Sequence, residues 1–300
     1  MFEKIIGNSN IKESLEKAIN LKKASHSYLF IGIKGIGKKL IAKEFAKALL
    51  CLENTNCGKC KSCIEFDTNN NPDFSIIEPE GNSIKIDQIR NIQQKVIEKP
   101  IISNNKVYII NDADTMTVEA QNCLLKTLEE PPEFVTIILI GENESNFLNT
   151  IKSRCTIMHF NKIEDKQIQE YIESNYNIKV NQSIINLANG SIGRAIRLKD
   201  KSEFYEDINK LIKNLENYDI INILNTGEII YKEKDDIYEI LEYINILLLN
   251  ISKTNYKYAK CIEIVEETKK RLKANSNYNM CIDYMLFSIW EEVNEKYSRS

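Results

Sequence analysis

Neither sign of charge prevails in this chain: 40 lysines and arginines face 43 aspartates and glutamates, for a net charge of −3 and a pI near 5.7. Without a basic excess the protein does not coat nucleic acid through its overall field, so any DNA contact has to come from a local lysine cluster or from partner subunits. Long apolar runs are missing too. No stretch reaches the length of a membrane span, and the start, Met1-Phe2-Glu3-Lys4-Ile5-Ile6-Gly7, lacks the basic-then-apolar form of a signal peptide. Both absences predict a cytoplasmic protein. Internal repeats and low-complexity segments are absent beyond asparagine-rich turns, which excludes collagen-like and disordered classes. Histidine is scarce, and neither copy is placed for acid–base chemistry: His26 lies in a segment before a strand, and His159 belongs to an apolar strand as a core or sheet-edge residue. What is present, 43% hydrophobic and 28% charged residues over 300 positions, suits two or three globular domains.

The most informative segment is Gly32-Ile33-Lys34-Gly35-Ile36-Gly37-Lys38-Lys39. It fits the phosphate-loop pattern G-x-x-x-x-G-K-[ST] at every place but the last. Gly32, Gly35 and Gly37 allow the backbone to turn its N–H groups toward phosphate oxygens, and Lys38 would meet the β- and γ-phosphates as a point charge. Lys39 stands where a hydroxyl should hold magnesium, and a lysine cannot ligate a cation. The pattern implies an ATPase frame on which nucleotide binding is open to doubt and hydrolysis is lost. Its context agrees: Tyr28 to Ile31 before it reads as a buried strand, and Leu40 to Leu50 after it as a helix with apolar positions at Leu40, Ile41, Phe45, Ala48 and Leu49.

Four of the eight cysteines crowd into thirteen residues as C-x5-C-x2-C-x2-C. Cys51, Cys57, Cys60 and Cys63, with Gly58 in the tight knuckle, can converge tetrahedrally on Zn²⁺, and with all four positions taken the site is structural. The rival is an iron–sulfur cluster, whose closing Cys-Pro would stand where this chain has Asp67 and Thr68. Cys123, Cys155, Cys261 and Cys281 sit singly in apolar surroundings and read as buried small hydrophobes.

Further strands are expected at Phe74 to Ile77, Lys106 to Ile110, Phe134 to Ile140 and Ile157 to Phe160. Helical spacing recurs at Ile84, Ile86, Ile89, Ile92, Val96 and Ile97, closed by Pro100, and again from about Thr117 to Leu128, stopped by Pro131-Pro132. Strands and helices alternating in this order predict an α/β domain with a parallel sheet over residues 1–160, the cysteine module at 51–63 included. Short helices follow over 161–203, with a loop at Asn189 to Gly193. Helical periods dominate 204–300, where Ile237, Ile240, Leu241, Ile244, Leu247, Leu248 and Ile251 share one face and Met280, Tyr284, Phe287 and Val293 another. Those faces want burial, in a bundle or at a subunit interface.

Taken in order, Ala24-Ser25-His26-Ser27-Tyr28-Leu29-Phe30, the phosphate loop, the cysteine knuckle, Lys126-Thr127-Leu128-Glu129-Glu130-Pro131-Pro132 and Ser153-Arg154-Cys155 resemble the bacterial clamp-loader subunits of the AAA+ class. The resemblance covers the first 200 residues well and extends more weakly to the end, where Arg271 to Asn275 looks like the entry to the last helix pair of a collar domain. It implies an AAA+ domain, an all-α lid and an all-α collar, working within the DNA polymerase III holoenzyme. The family contains ATP-hydrolysing gamma/tau subunits and a non-hydrolysing delta-prime kind. The departures favour the second: besides Lys39, the acidic pair that should end the third strand is replaced by Asn111 and Asp112, and the sensor threonine of the next strand falls near Gly141. Arg154, by contrast, matches the arginine finger that the family inserts into a neighbour's ATP site, and Arg194 resembles the second sensor of the lid. The resemblance further implies gamma/tau and delta subunits as partners, a sliding clamp, and primer-template DNA met mainly through the complex. An active gamma/tau-like ATPase is the competing reading, and an unrelated AAA+ assembly factor a more distant one.

Overall fold

The computed structural model describes residues 1–3, 5–178 and 180–294. Five apolar runs form one sheet of parallel strands: β1 (Ser27–Ile31), β2 (Phe74–Ile77), β3 (Lys106–Ile110), β4 (Val135–Gly141) and β5 (Thr156–His159). Their spatial order is β2-β3-β4-β1-β5. β1, β3 and β4 are buried along their whole length, which is why they read as unbroken apolar runs instead of alternating ones. Around them lie α1 (Ser9–Asn20), α2 (Lys38–Leu50), α3 (Lys61–Asp67), α4 (Ile86–Val96), α5 (Val118–Glu129) and α6 (Asn149–Lys152). Side chains alternate across a strand, so Leu29, Ile31, Tyr108, Ile110, Ile137 and Leu139 form one core with Ile89 and Ile92 of α4 and Leu124 and Leu128 of α5. From the opposite face of β1, Tyr28 meets Phe45 of α2 edge-on, with ring centroids 5.1 Å apart. The sheet therefore carries helices on both faces.

Two compact units make up the chain: residues 1–167 together with 190–193, and residues 168–189 together with 194 onward. The helices after the sheet are α7 (Asp165–Tyr176), α8 (Gln182–Ala188), α9 (Ile192–Lys199), α10 (Ser202–Lys213), α11 (Ile220–Tyr231), α12 (Ile237–Ser252), α13 (Ala259–Lys273) and α14 (Tyr278–Asn294). Within the second unit, Ile237, Ile240, Leu241, Ile244, Leu247 and Leu248 of α12 are buried together, as their spacing requires, while Ile251 of the same stripe is only half-buried near the helix end.

Several apolar residues lie elsewhere than expected. Leu40 is 60% exposed because α2 buries Ile41, Ala42, Phe45 and Ala46, and a residue 100° away from Ile41 turns out of that stripe. Ile97 is 78% exposed because α4 stops at Val96. On α14 the buried face is Cys281, Ile282, Met285, Leu286, Ile289 and Val293; Met280 and Tyr284 point outward, and Arg271 of α13 lies 4.3 Å from the Tyr284 ring. Cys261 and Cys281 are buried as expected, whereas Cys123 and Cys155 are only half-buried.

The cysteine module is fastened to the sheet by a buried polar network. Both oxygens of the Asp73 carboxylate accept backbone N–H groups, from Ile101, Ile102 and Ser103, each at 2.7 Å. Ser103 Oγ lies 2.8 Å from Ser62 Oγ on α3, and Asn71 Nδ2 donates to the Ser62 carbonyl and hydroxyl at 3.0 Å. All four side chains belong to buried residues, so each needs its partners. Asp73→Ala leaves three N–H groups without an acceptor. Urea unfolding should show a loss of about 2–4 kcal/mol, and an unchanged transition midpoint would show that water replaces the carboxylate.

Candidate functional site

The phosphate loop leaves the C-terminal end of β1, where the strand order reverses between β4 and β5. This is the crevice that ligands use in open parallel sheets. Gly35 (φ 76°) and Gly37 (φ 101°) hold left-handed conformations that a side chain would strain, and Gly37 leads directly into the first turn of α2. Lys38 folds back into the loop, its Nζ donating to the carbonyls of Gly32 and Ile33, the latter at 2.9 Å. Burial pushes its ammonium below the usual lysine range, with the carboxylates of Glu142, Asp114 and Asp112 acting against that shift. Lys39 does not fill the loop. Its Nζ lies 2.5 Å from Glu78, one residue beyond β2.

The residues expected to serve a metal-bound nucleotide are tied up among themselves. Asn111 donates to the Asp112 carboxylate at 3.2 Å, and Asp112 occupies a left-handed conformation (φ 50°) with its carbonyl accepting Thr115 Oγ1. Gly141 ends β4 with no room for a sensor side chain, since a Cβ there would lie 2.8 Å from the Phe147 ring. A segment far along the chain also braces the loop. Ser191 Oγ donates to the Lys34 carbonyl at 2.8 Å, the Gly193 N–H donates to the Gly35 carbonyl at 2.9 Å, and a Cβ on Gly193 would come within 3.0 Å of Gly35 Cα. The expected loop over 189–193 is shorter than its composition suggests, since α9 already begins at Ile192; the contact of this segment with the crest of the phosphate loop is a tertiary result.

Arg154 lies at the other end of the sheet. It precedes β5, and its carbonyl accepts Ser27 Oγ, at the N-terminal end of β1, at 2.6 Å. Because β1 and β5 run parallel, Arg154 and Gly32 sit at opposite ends of a five-residue strand, about 16 Å apart at the strand's rise per residue. An arginine side chain does not span that distance. Its guanidinium rests on its own surface: Nη1 donates to the Thr150 carbonyl at 2.8 Å and to Ser153 Oγ at 3.3 Å, and Nη2 pairs with Glu129 at 2.7 Å. Three separated sequence landmarks thus converge here, with Ser27, Glu129 and Ser153 all touching Arg154. Glu129 stands within the 126–132 segment, but its pairing is not legible there because the partner is 25 positions away in sequence. Cys155 next door is a burial-raised thiol at about 11, countered in part by Ser27. His26 contacts the Val135 carbonyl at 3.2 Å, and His159 pairs with Glu144 at the exposed sheet edge.

The four cysteines of the knuckle come together as their spacing requires. All four sulfurs lie within 4.8 Å of one another, with Cys51 Sγ 3.6 Å from Cys57 Sγ and 4.0 Å from Cys60 Sγ. A tetrahedron of sulfurs about a cation at ~2.3 Å has edges of about 3.8 Å, so the donor set fits a metal ion. Burial raises the Cys51 thiol, but backbone N–H groups of Cys57, Thr55 and Glu53 outweigh it and bring the group to about 6. Cys63 goes the other way, pushed up by burial and by its sulfur neighbours. Four thiolates this close repel one another unless a cation sits among them.

Arg194 belongs to the helical unit. Its Nε and Nη2 pair with Glu239 and Glu242 of α12 at 2.7 and 2.6 Å, and Arg197 shares Glu239 at 3.0 Å. Burial pulls the Arg194 guanidinium down, and these carboxylates more than restore it above its usual range.

Residues 7–164 match the sequence model of the family described as DNA polymerase III, delta subunit. The chain is 36% identical over 206 residues to DNA polymerase III subunit delta' of Bacillus subtilis, covering 68% of this chain and 62% of that protein. It is 32% identical over 302 residues to subunit tau of the same organism, covering 90% of this chain and 52% of that one. The chain thus spans less than two thirds of either relative. Among solved structures, a gamma subunit-related protein of Thermotoga maritima aligns over 93% of this chain and 99% of its own with a TM-score of 0.50 at 20% identity, a likeness of fold.

Arg194→Ala should weaken the helical unit by about 1–3 kcal/mol, less than a fully buried pair because Glu242 is 43% exposed. A double-mutant cycle with Glu239→Gln in chemical unfolding measures the coupling. Strict additivity would show that the Arg194–Glu239 pair carries no stability.

Proposed function

Because the chain belongs to the bacterial DNA polymerase III clamp-loader family, we propose that it is a delta-prime-like subunit that completes a neighbour's ATP site with Arg154 and hydrolyses no ATP itself. The observation that carries this reading is the placement of Arg154 at the end of β1 opposite its own phosphate loop, out of reach of any nucleotide held there. A planar, permanently charged guanidinium is suited to meet two phosphate oxygens across a subunit boundary, and it stabilises charge that develops on the transferring phosphoryl group. The chain's own loop lacks the means for the reaction. Lys39 pairs with Glu78, Asn111 is neutral, and Gly141 leaves no space for a sensor. These losses favour the non-hydrolysing reading over a gamma/tau-like ATPase.

In this reading the protein divides into an AAA+ domain (1–160), a helical lid (161–203) and a helical collar (204–300), and it acts in the cytoplasm with gamma/tau and delta subunits. Together they place a sliding clamp on primer-template DNA, which the chain meets mainly through the complex, given its net charge of −3. Cys51, Cys57, Cys60 and Cys63 hold a structural Zn²⁺ that fixes the α2–α3 connection. Arg194, engaged with Glu239 and Glu242, serves as a strut between helices.

Arg154→Ala should leave assembly with gamma/tau and delta subunits intact and lower turnover at the site it faces by roughly 10³-fold or more. Arg154→Lys should restore little, because an ammonium has no bidentate fork. Parental rates of ATP hydrolysis and clamp loading by the Arg154→Ala complex would reject the finger. The isolated chain should show no ATP turnover that depends on Lys38, a point settled by comparison with Lys38→Ala. Elemental analysis should find about one zinc per chain. Iron with a visible absorption band, or metal-free thiols after anaerobic purification, would reject the zinc site.

A further inference from the structure

We propose that Glu129 is the positioning residue of Arg154, a latch that holds the guanidinium folded on its own subunit until a neighbour's phosphates displace it; this rests on the reading of Arg154 as a finger. The resting side chain is satisfied on both terminal nitrogens. Nη1 is engaged by the Thr150 carbonyl and Ser153 Oγ, and Nη2 by the Glu129 carboxylate at 2.7 Å. Only 33% of the Arg154 side chain is exposed, so it lies along the surface instead of projecting from it. A finger that crosses a subunit boundary has to give up these contacts.

Glu129 is suited to the exchange. It closes α5 immediately before Glu130-Pro131-Pro132, and the proline pair stops the helix there, so the carboxylate is fixed at a helix end. Its side chain is 49% exposed, which makes the pair weak enough to yield to a multiply charged phosphate. The guanidinium offers the same fork to carboxylate and phosphate, so the two compete for one set of donors. The Arg154 backbone, meanwhile, stays anchored through its carbonyl to Ser27 and through its N–H to Ile151. The side chain can therefore swing while its root stays still.

The latch makes an unusual demand: removing a charge partner of the finger should raise the partner subunit's rate. In the reconstituted complex, Glu129→Gln should increase kcat by about two- to fivefold with KM for ATP unchanged, the factor expected for releasing a half-exposed ion pair. Glu129→Ala should behave alike. The gain should vanish when Arg154→Ala is also present. In the isolated chain, without any partner, phenylglyoxal should modify Arg154 faster by a similar factor in Glu129→Gln, followed by peptide mass spectrometry. A rate that stays level or falls in both Glu129 variants, a gain that survives in Arg154→Ala, or an unchanged modification rate overturns the latch alone. Full activity in Arg154→Ala by itself overturns the finger and the latch with it.

Discussion

The pairing of β1 with β4 on one side and β5 on the other is the constraint from which the functional geometry follows. It places the phosphate loop at one end of the sheet and, through Ser27, fixes the root of Arg154 at the opposite end. Strand rise makes that separation rigid, because a buried parallel strand cannot shorten without losing its ladder on both sides. A chain built this way holds its glycine-rich loop and the root of Arg154 at opposite ends of one sheet.

The glycine-rich loop is held in shape by bonds within the chain. Lys38 takes the loop carbonyls as acceptors, and the Ser191 to Gly193 segment supplies donors to Lys34 and Gly35. Glycine at 193 is needed for that approach, since an added Cβ would meet Gly35 at 3.0 Å. The loop is thereby packed as firmly as the elements around it.

A similar logic joins the cysteine module to the sheet. Ser62, next to Cys63, is bonded to Ser103 and Asn71, and Ser103 is held by the Asp73 carboxylate. In a low-dielectric interior such a network is stable only when every member is satisfied. The order of α3 is therefore linked to the loop that precedes β3, and the module is less separable from the sheet than its compact spacing in sequence suggests.

Local signals determined much of this protein. Apolar runs gave all five strands to within about two residues, and β1, β3 and β4 were the plainest because strands buried along their whole length admit little else; the cysteine spacing alone marked four side chains that the fold brings within 4.8 Å of one another. Helix faces were less legible. α14 turned Met280 and Tyr284 outward because its neighbours, and not its own periodicity, choose the buried stripe. Contacts between distant segments were decided by the tertiary structure: Glu129 on Arg154, Glu78 on Lys39, Glu239 and Glu242 on Arg194, and Gly193 against Gly35. Sequence records which side chains carry charge and where the backbone can turn, but an ion pair is a matter of distance, and only the packing of helices on the sheet brings those charges within reach of one another.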